Sequence, residues 1–301
     1  MDSIQRYKGY TLCPYTDISK LENGVMERFF RQDDIIVQGF PKSGNTWMIF
    51  LLQELYTDLN VFQHGDKKVP PMLEWLTVNS RLFDDFDTPI TRAVKSFLID
   101  PCVTSSPRLI KSHLPYELFP KQALRTGTKV IYIARNPKDV VTSSYHWFGR
   151  TYLLRENVTR EGHLKNFIDG IIPCTPWVNH VAGWSEHSDD ENVFYVTYED
   201  MVKETKTTVR AITEFLGRPL PDSQLENAIF NTSIDNLRNN PTSAFKIDFD
   251  ESFMPNYVAG YFRKGKVGDW KNHFTVAENE MFEDVIVKKL QGKGIEFVYE
   301  L

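Results

Sequence analysis

The chain has 301 residues, 41% of them hydrophobic and 25% charged, with a net charge of −5. That balance matches folded globular proteins and excludes the low-hydrophobicity, high-charge signature of disorder. It also argues against general binding to nucleic acid or acidic membranes, which calls for a basic excess. Any anion must therefore be held by a local cluster of cations. Apolar runs such as Trp47 to Leu52 fall far short of the ~20 residues that a membrane span needs. The first residues, MDSIQRYKGY, lack the basic-then-apolar order of a signal peptide. Cys13, Cys102 and Cys174 are widely spaced and odd in number, so reduced thiols in a cytoplasmic protein are expected. The sequons at Asn157 and Asn231 then go unused. No linker divides the chain, and one domain over 1–301 is expected, with 1–33 as an N-terminal extension packing on it.

In that extension a short helix is predicted from Asp17 onward, where Ile18, Leu21 and Val25 have helical spacing. Residues 34 to 58 follow as DIIVQGFPKSGNTWMIFLLQELYTD, read as a strand, a tight turn and a helix. The amides at such a helix start have no intrahelical acceptor and lie at the positive end of the dipole, which suits an anion. Gly44 permits close backbone approach, and Lys42 adds a full charge within the turn. An ordinary strand–helix connection is the plainer alternative. Phosphate binding explains the glycines, the lysine and the two hydroxyls together. Gly39 and Gly44 have the separation of a kinase-type phosphate loop, but Asn45 stands where its lysine belongs and the lysine lies at position 42. Chemistry other than metal-assisted phosphoryl transfer is therefore expected.

Residues 60 to 107 are aromatic-rich and weakly periodic, in the manner of core cover or an apolar pocket wall. RLIKSHLPY at 108 to 116 reads as a strand ending near Lys111, Ser112 and His113, at the sheet edge where open α/β proteins hold ligands. TKVIYIARNPKDVVTSSYHWF at 128 to 148 is a buried strand from Val130 to Ala134 and a helix capped by Asn136, with Pro137 and Asp139 in its first turn. Arg135 sits at that junction, where its planar fork suits a second phosphate, and a surface arginine is the alternative. Residues 151 to 190 carry no clear pattern apart from Trp177 and Trp184. A third strand is predicted from Val193 to Thr197 and one helix from about 204 to 216. Strands alternating with helices predict an α/β fold with a central parallel sheet flanked by helices. From Asn236 to Trp270 periodicity is lost, and Arg263, Lys264, Gly265 and Lys266 concentrate positive charge. A last helix runs from Thr275 to about Leu290, with Thr275 and Glu278 spaced as a capping box.

Taken together these stretches resemble the cytosolic sulfotransferases over about residues 34 to 280. PKSGNTW at 41 to 47 is similar to the family's 5′-phosphosulfate loop, KSHLP at 111 to 115 to its catalytic-histidine segment, and ARNPKDVVTSSYH at 134 to 146 and RKGKVGDWK at 263 to 271 to its 3′-phosphate segments. The resemblance implies a P-loop-like fold and sulfuryl transfer from 3′-phosphoadenosine 5′-phosphosulfate (PAPS) to a hydroxyl or amine of a small apolar acceptor, with no metal required. It implies His113 as base, with Lys42, Lys111 and Ser143 also catalytic. Lys42, Ser43, Gly44, Asn45, Thr46 and Trp47 would hold the 5′ end. Arg135, Ser143, Arg263, Lys264 and Gly265 would hold the 3′-phosphate, with Tyr198, Thr232 and Ile234 at the adenine. Met72, Trp75, Trp147, Phe253 and Met254, beside His113, match pocket positions for the acceptor. Lys271, Thr275, Val276 and Glu280 match the family's KxxxTVxxxE segment and imply a homodimer. Asn45 departs from the threonine common there, and Ile234 occupies a position often aromatic. The rival readings are a P-loop kinase using ATP and Mg²⁺, and a non-catalytic small-molecule binder on the same fold.

Overall fold

The computed structural model describes residues 5–14, 16–64, 67–69, 71–78, 95, 100, 105–148, 158–239 and 262–301. Four strands form its central sheet: β1 (Ile35–Gln38), β2 (Leu109–Ser112), β3 (Lys129–Ala134) and β4 (Val193–Thr197). They lie in the order β2-β1-β3-β4 and every pair is parallel. The register aligns Ile35 with both Leu109 and Lys129, and Val130 with Val193. All four residues of β1 are buried, as expected of a central strand covered on both faces.

Alternate residues of each strand feed two separate cores, because strand side chains point to opposite faces in turn. Ile36, Ile110, Val130 and Tyr132 pack with Trp177, Val181, Trp184 and Phe282. Ile35, Val37, Leu109, Ile131 and Ile133 pack with Met48, Ile49 and Leu52 of helix α1 (Asn45–Leu55), and with Ile212 and Leu225. From β1 the chain crosses to β2 on one side, then returns to β3 on the other. The connections leaving β1 and β3 run in opposite directions, to β2 and to β4, and open a crevice between those two strands at their carboxyl ends.

The predicted strands match closely, and Asn136 caps helix α2 (Pro137–Phe148) by accepting the Asp139 amide at 2.8 Å. The helix expected at about 204–216 forms as Thr205–Phe215, and a short helix that was not expected, Tyr198–Lys203, precedes it, its start capped by Thr197, which accepts the Asp200 amide. The segment after 158 that showed no pattern holds two helices, Arg160–Ile168 and Trp177–Ser185. The second is buried nearly all round, so it has no amphipathic period to read. The capping box at Thr275 and Glu278 is formed, and the helix it opens passes through π-helical turns at Glu283–Val287.

Buried electrostatics ties the ends of β1 and β2. Arg108 and Asp34 are both fully buried; Nε of Arg108 donates to Asp34 Oδ1 at 2.7 Å and its Nη2 donates to the Phe29 carbonyl at 2.7 Å. The guanidinium also lies 5.2 Å from the Phe29 ring centre. The N-terminal segment is thereby held to the sheet, and its Met26 and Phe29 enter the core. Asp34→Ala strands a buried guanidinium, so a loss of about 3–5 kcal/mol is expected, read as a fall in the urea midpoint.

Candidate active site at the sheet switch point

The turn after β1 is built by backbone constraint. Lys42 and Gly44 adopt positive φ, 73° and 113°, and the Ser43 amide closes the turn on the Phe40 carbonyl at 3.2 Å. A Cβ at Gly39 would lie 2.5 Å from the Ile133 carbonyl oxygen, and one at Gly44 would lie 2.7 Å from Cδ2 of Tyr198. Glycine is required at both points by the close approach of β3 and of the chain after β4.

A cavity of about 280 Å³ opens above this turn. Its wall brings together Lys42, Gly44, Asn45, Thr46 and Trp47 from the turn and the first turn of α1, with Lys111 in β2 and His113 just after it. Arg135, Ser143 and Trp147 enter from the β3–α2 unit, Tyr198 from the end of β4, Thr232 and Ile234 from one connection, and Arg263, Lys264 and Gly265 from another. Segments more than 200 residues apart in sequence thus meet at one sheet edge. Ser43 lies beneath the wall, 1% exposed. Met72 pairs with Lys111 in a parallel bridge, and Trp75 is buried in the core; neither lines this cavity. Phe253 and Met254 lie outside the described residues.

Two regions of the wall are anion-selective for different reasons. In the first, the opening turn of α1 offers backbone amides with the dipole behind them. In the second, Arg135 spans from the Lys42 carbonyl to the Lys266 carbonyl, donating to each at 3.2 Å, with its guanidinium 4.2 Å from the Tyr198 ring centre. Asp139 of α2 accepts the Gly268 and Trp270 amides at 2.8 and 3.0 Å, which docks the distant basic turn against the same helix. Arg263 and Lys264 each pair with Asp269 at 2.5 Å. Burial opposes ionisation of Asp269, but hydrogen bonds from Lys264, Asn272 and Arg263 outweigh it and hold the carboxyl well below its usual range. Ser43 Oγ and Arg135 Nε are buried without a hydrogen-bond partner among the described residues. Orphaned groups of this kind, one beside each region, fit two bound oxyanions.

His113 stands beside the first region. Its Nδ1 lies 2.6 Å from the Gly39 carbonyl oxygen and 3.0 Å from Asn45 Nδ2; the carbonyl only accepts, and Asn45 Nδ2 donates to that same oxygen at 2.9 Å, so Nδ1 carries the proton and Nε2 keeps a lone pair. Burial lowers the imidazole pKa well below 6.5, and Lys111 pushes it further, so the ring is neutral at neutral pH. Lys42 reaches across the cavity, its Nζ 4.7 Å from the Trp147 ring centre. A neutral base facing a cavity with lysines on two sides can take a proton from one reactant and stabilise charge on another. Sequence reasoning missed Glu74, which accepts the His113 backbone N–H and the Ser112 hydroxyl, the latter at 3.2 Å. An acid between Leu73 and Trp75 in an apolar stretch was the available signal.

Sheet order, switch-point turn and paired cationic regions define a P-loop-like α/β protein. The family model described as sulfotransferase domain matches residues 32–294, and the chain belongs to that family. It is 36% identical over 270 residues to sulfotransferase 1A1 of Bos taurus, covering 89% of this chain and 87% of the relative. Human sulfotransferase 1C2 is 30% identical over 280 residues, covering 90% and 88%. The crystal structure of mouse sulfotransferase SULT7A1 complexed with PAP superimposes with a TM-score of 0.76 at 27% identity, covering 96% of this chain and 95% of that one.

Glu199 supports the second region from below. It is 1% exposed, and its Oε1 accepts the Asn136 amide and side chain at 3.0 and 2.9 Å, while Oε2 has no partner among the described residues. Burial raises its pKa from 4.5 to about 7, against the lowering effect of the Asn136 bonds and Arg135. The native state therefore keeps a proton that the unfolded chain releases, and stability falls as pH rises from 4.5 to about 7. Glu199→Gln should flatten that part of the stability–pH curve, measured by urea midpoints across the window.

Proposed function

We propose that this chain transfers a sulfuryl group from PAPS to the hydroxyl or amine of a small apolar acceptor, with His113 as base, as one domain over 1–301. The observation that carries the reading is the pairing of His113, its Nε2 free for a proton, with two separated anion regions on one cavity wall. PAP in the mouse relative supports a 3′,5′-bisphosphate nucleotide as the occupant of both. When bound, the donor supplies an activated sulfur and a phosphate leaving group. Amides of α1, with Ser43, Asn45 and Thr46, hold its 5′ end. Arg135, Ser143, Arg263, Lys264 and Gly265 hold the 3′-phosphate, and Trp47, Tyr198, Thr232 and Ile234 flank the base.

Nε2 of His113 takes the acceptor proton as the acceptor oxygen or nitrogen meets sulfur, and Lys42 and Lys111 stabilise charge that develops on the departing oxygen. Lys42 in the turn and Lys111 on β2 fill the role that a kinase gives to its loop lysine and metal. Trp147 on the cavity wall favours a flat apolar acceptor such as a phenol, sterol or alcohol. We place the protein in the cytoplasm by its likeness to the cytosolic sulfotransferases. Among the described residues no helix is long and apolar enough to cross a membrane.

Adenosine 3′,5′-bisphosphate should bind far more tightly than ADP without Mg²⁺ in calorimetry; the reverse order would favour a kinase. His113→Ala should lower kcat by about 10²–10⁴-fold while leaving nucleotide affinity unchanged. Because His113 is neutral well below 6.5, wild-type kcat/KM should show no acid limb at that pH.

Pairing of two copies through Lys271, Thr275, Val276 and Glu280 completes the reading. Val276 is 77% exposed in the first turn of its helix, with Met281 43% exposed nearby in sequence. An exposed valine beside a capped helix start gives a second copy an apolar contact. Val276→Glu should convert a dimer to monomers in sedimentation velocity, with turnover per chain retained.

A further inference from the structure

His180 is a buried histidine outside the cavity wall, in the helix Trp177–Ser185. It is 0% exposed and packs edge-on against Phe40, ring centres 5.4 Å apart. Its Nε2 lies 3.0 Å from the backbone carbonyl oxygen of His113, and its Nδ1 lies 3.1 Å from the Tyr132 hydroxyl. A carbonyl oxygen only accepts, so Nε2 donates to His113 and Nδ1 receives the Tyr132 proton. Tyr132 belongs to β3 and is fully buried. The relay therefore runs from the middle of the sheet, through His180, to the peptide that carries His113.

The neighbouring bonds act on the same short stretch. Glu74 accepts the His113 N–H, and Ser112 Oγ accepts the Leu114 N–H at 3.2 Å. Trp184, one turn beyond His180, donates to the Leu114 carbonyl at 3.1 Å, and Gln38 of β1 donates to it at 2.7 Å. Most of these contacts fix the chain on either side of the histidine. His180 is the donor to the carbonyl of His113 itself, and so sets the plane of the peptide that follows the imidazole-bearing Cα.

We propose that His180 is a positioning residue: by holding the His113 carbonyl it fixes the ring so that Nδ1 meets Gly39 and Nε2 faces the cavity. Rotation of that peptide would move the Cα–Cβ bond and lengthen the 2.6 Å contact to Gly39. The proton on the ring would then exchange between nitrogens, and the fraction carrying the lone pair on Nε2 would fall. A misplacement of about 1 Å at a reacting group costs on the order of 10²-fold in rate. Burial lowers the His180 pKa to about 4, so it stays neutral and acts as a donor, not as a charge.

The catalytic consequence rests on His113 being the base, and the test separates the two. His180→Leu removes the donor, and His180→Gln returns an amide N–H at the position of Nε2. The ¹⁵N shifts of the His113 ring, assigned by their loss in His113→Ala, report which nitrogen is protonated without any acceptor present. Wild type should show one protonated Nδ1 and one bare Nε2. His180→Leu should average the two signals and lower kcat roughly 10- to 100-fold, with affinity for adenosine 3′,5′-bisphosphate unchanged. His180→Gln should restore the shifts and most of the rate. Unchanged His113 shifts in His180→Leu would overturn the inference. So would Leu and Gln variants that lose rate equally and in step with their melting temperatures, which marks a purely structural role. Full turnover in His113→Ala together with averaged shifts in His180→Leu would reject the base assignment and uphold the positioning.

Discussion

One carbonyl oxygen, that of Gly39, joins the two halves of this site. It accepts Nδ2 of Asn45 at 2.9 Å and Nδ1 of His113 at 2.6 Å. The first bond holds the opening of α1, whose first amides have no intrahelical acceptor. The second orients the His113 imidazole, which arrives from a different strand, so the loop and the ring cannot move independently. Glycine is the residue that allows this, because a Cβ there would collide with Ile133 of β3 and with Asn45. Asn45 is the position that departs from its family's usual threonine, and its amide supplies a donor that a hydroxyl would have to replace.

The rest of the site shows how a protein with a net charge of −5 keeps cations ready for an anion. Two buried carboxylates do this by different means. Asp139 binds backbone amides of the 268–270 turn and so brings that turn to α2. Asp269 pairs with Arg263 and Lys264, which holds both side chains at the cavity without a ligand. Side chains ordered in this way cost less entropy to engage than free ones. Glu199 completes the support beneath Asn136, and its raised pKa follows from sealing a carboxyl under the sheet edge with one oxygen unsatisfied.

Much of this was legible in the order of residues. β-Branched runs ending in turn residues marked β1, β3 and β4 to within a residue, since buried parallel strands must be apolar throughout. The residues expected around the nucleotide converge on one cavity, apart from Ser43 just beneath it. Other features were not legible. The Trp177–Ser185 helix is buried nearly all round, so it lacks the polar face by which a helix is recognised. The Tyr198–Lys203 helix is too short to show a period, and its start rests on a cap at Thr197, whose side chain accepts the Asp200 amide.

Sequence by itself determined the chemistry on offer: a turn that admits an anion, a histidine at a strand end, and cations at three places along the chain. It did so because such functions rest on local spacing of glycine, lysine and capping residues. Tertiary structure decided what those groups do to one another. The order β2-β1-β3-β4 sets the ends of β1, β2 and β3 side by side, and only then does one carbonyl meet both Asn45 and His113. Burial, which no pattern of residues states, makes His113 neutral and turns His180 into a donor to its backbone.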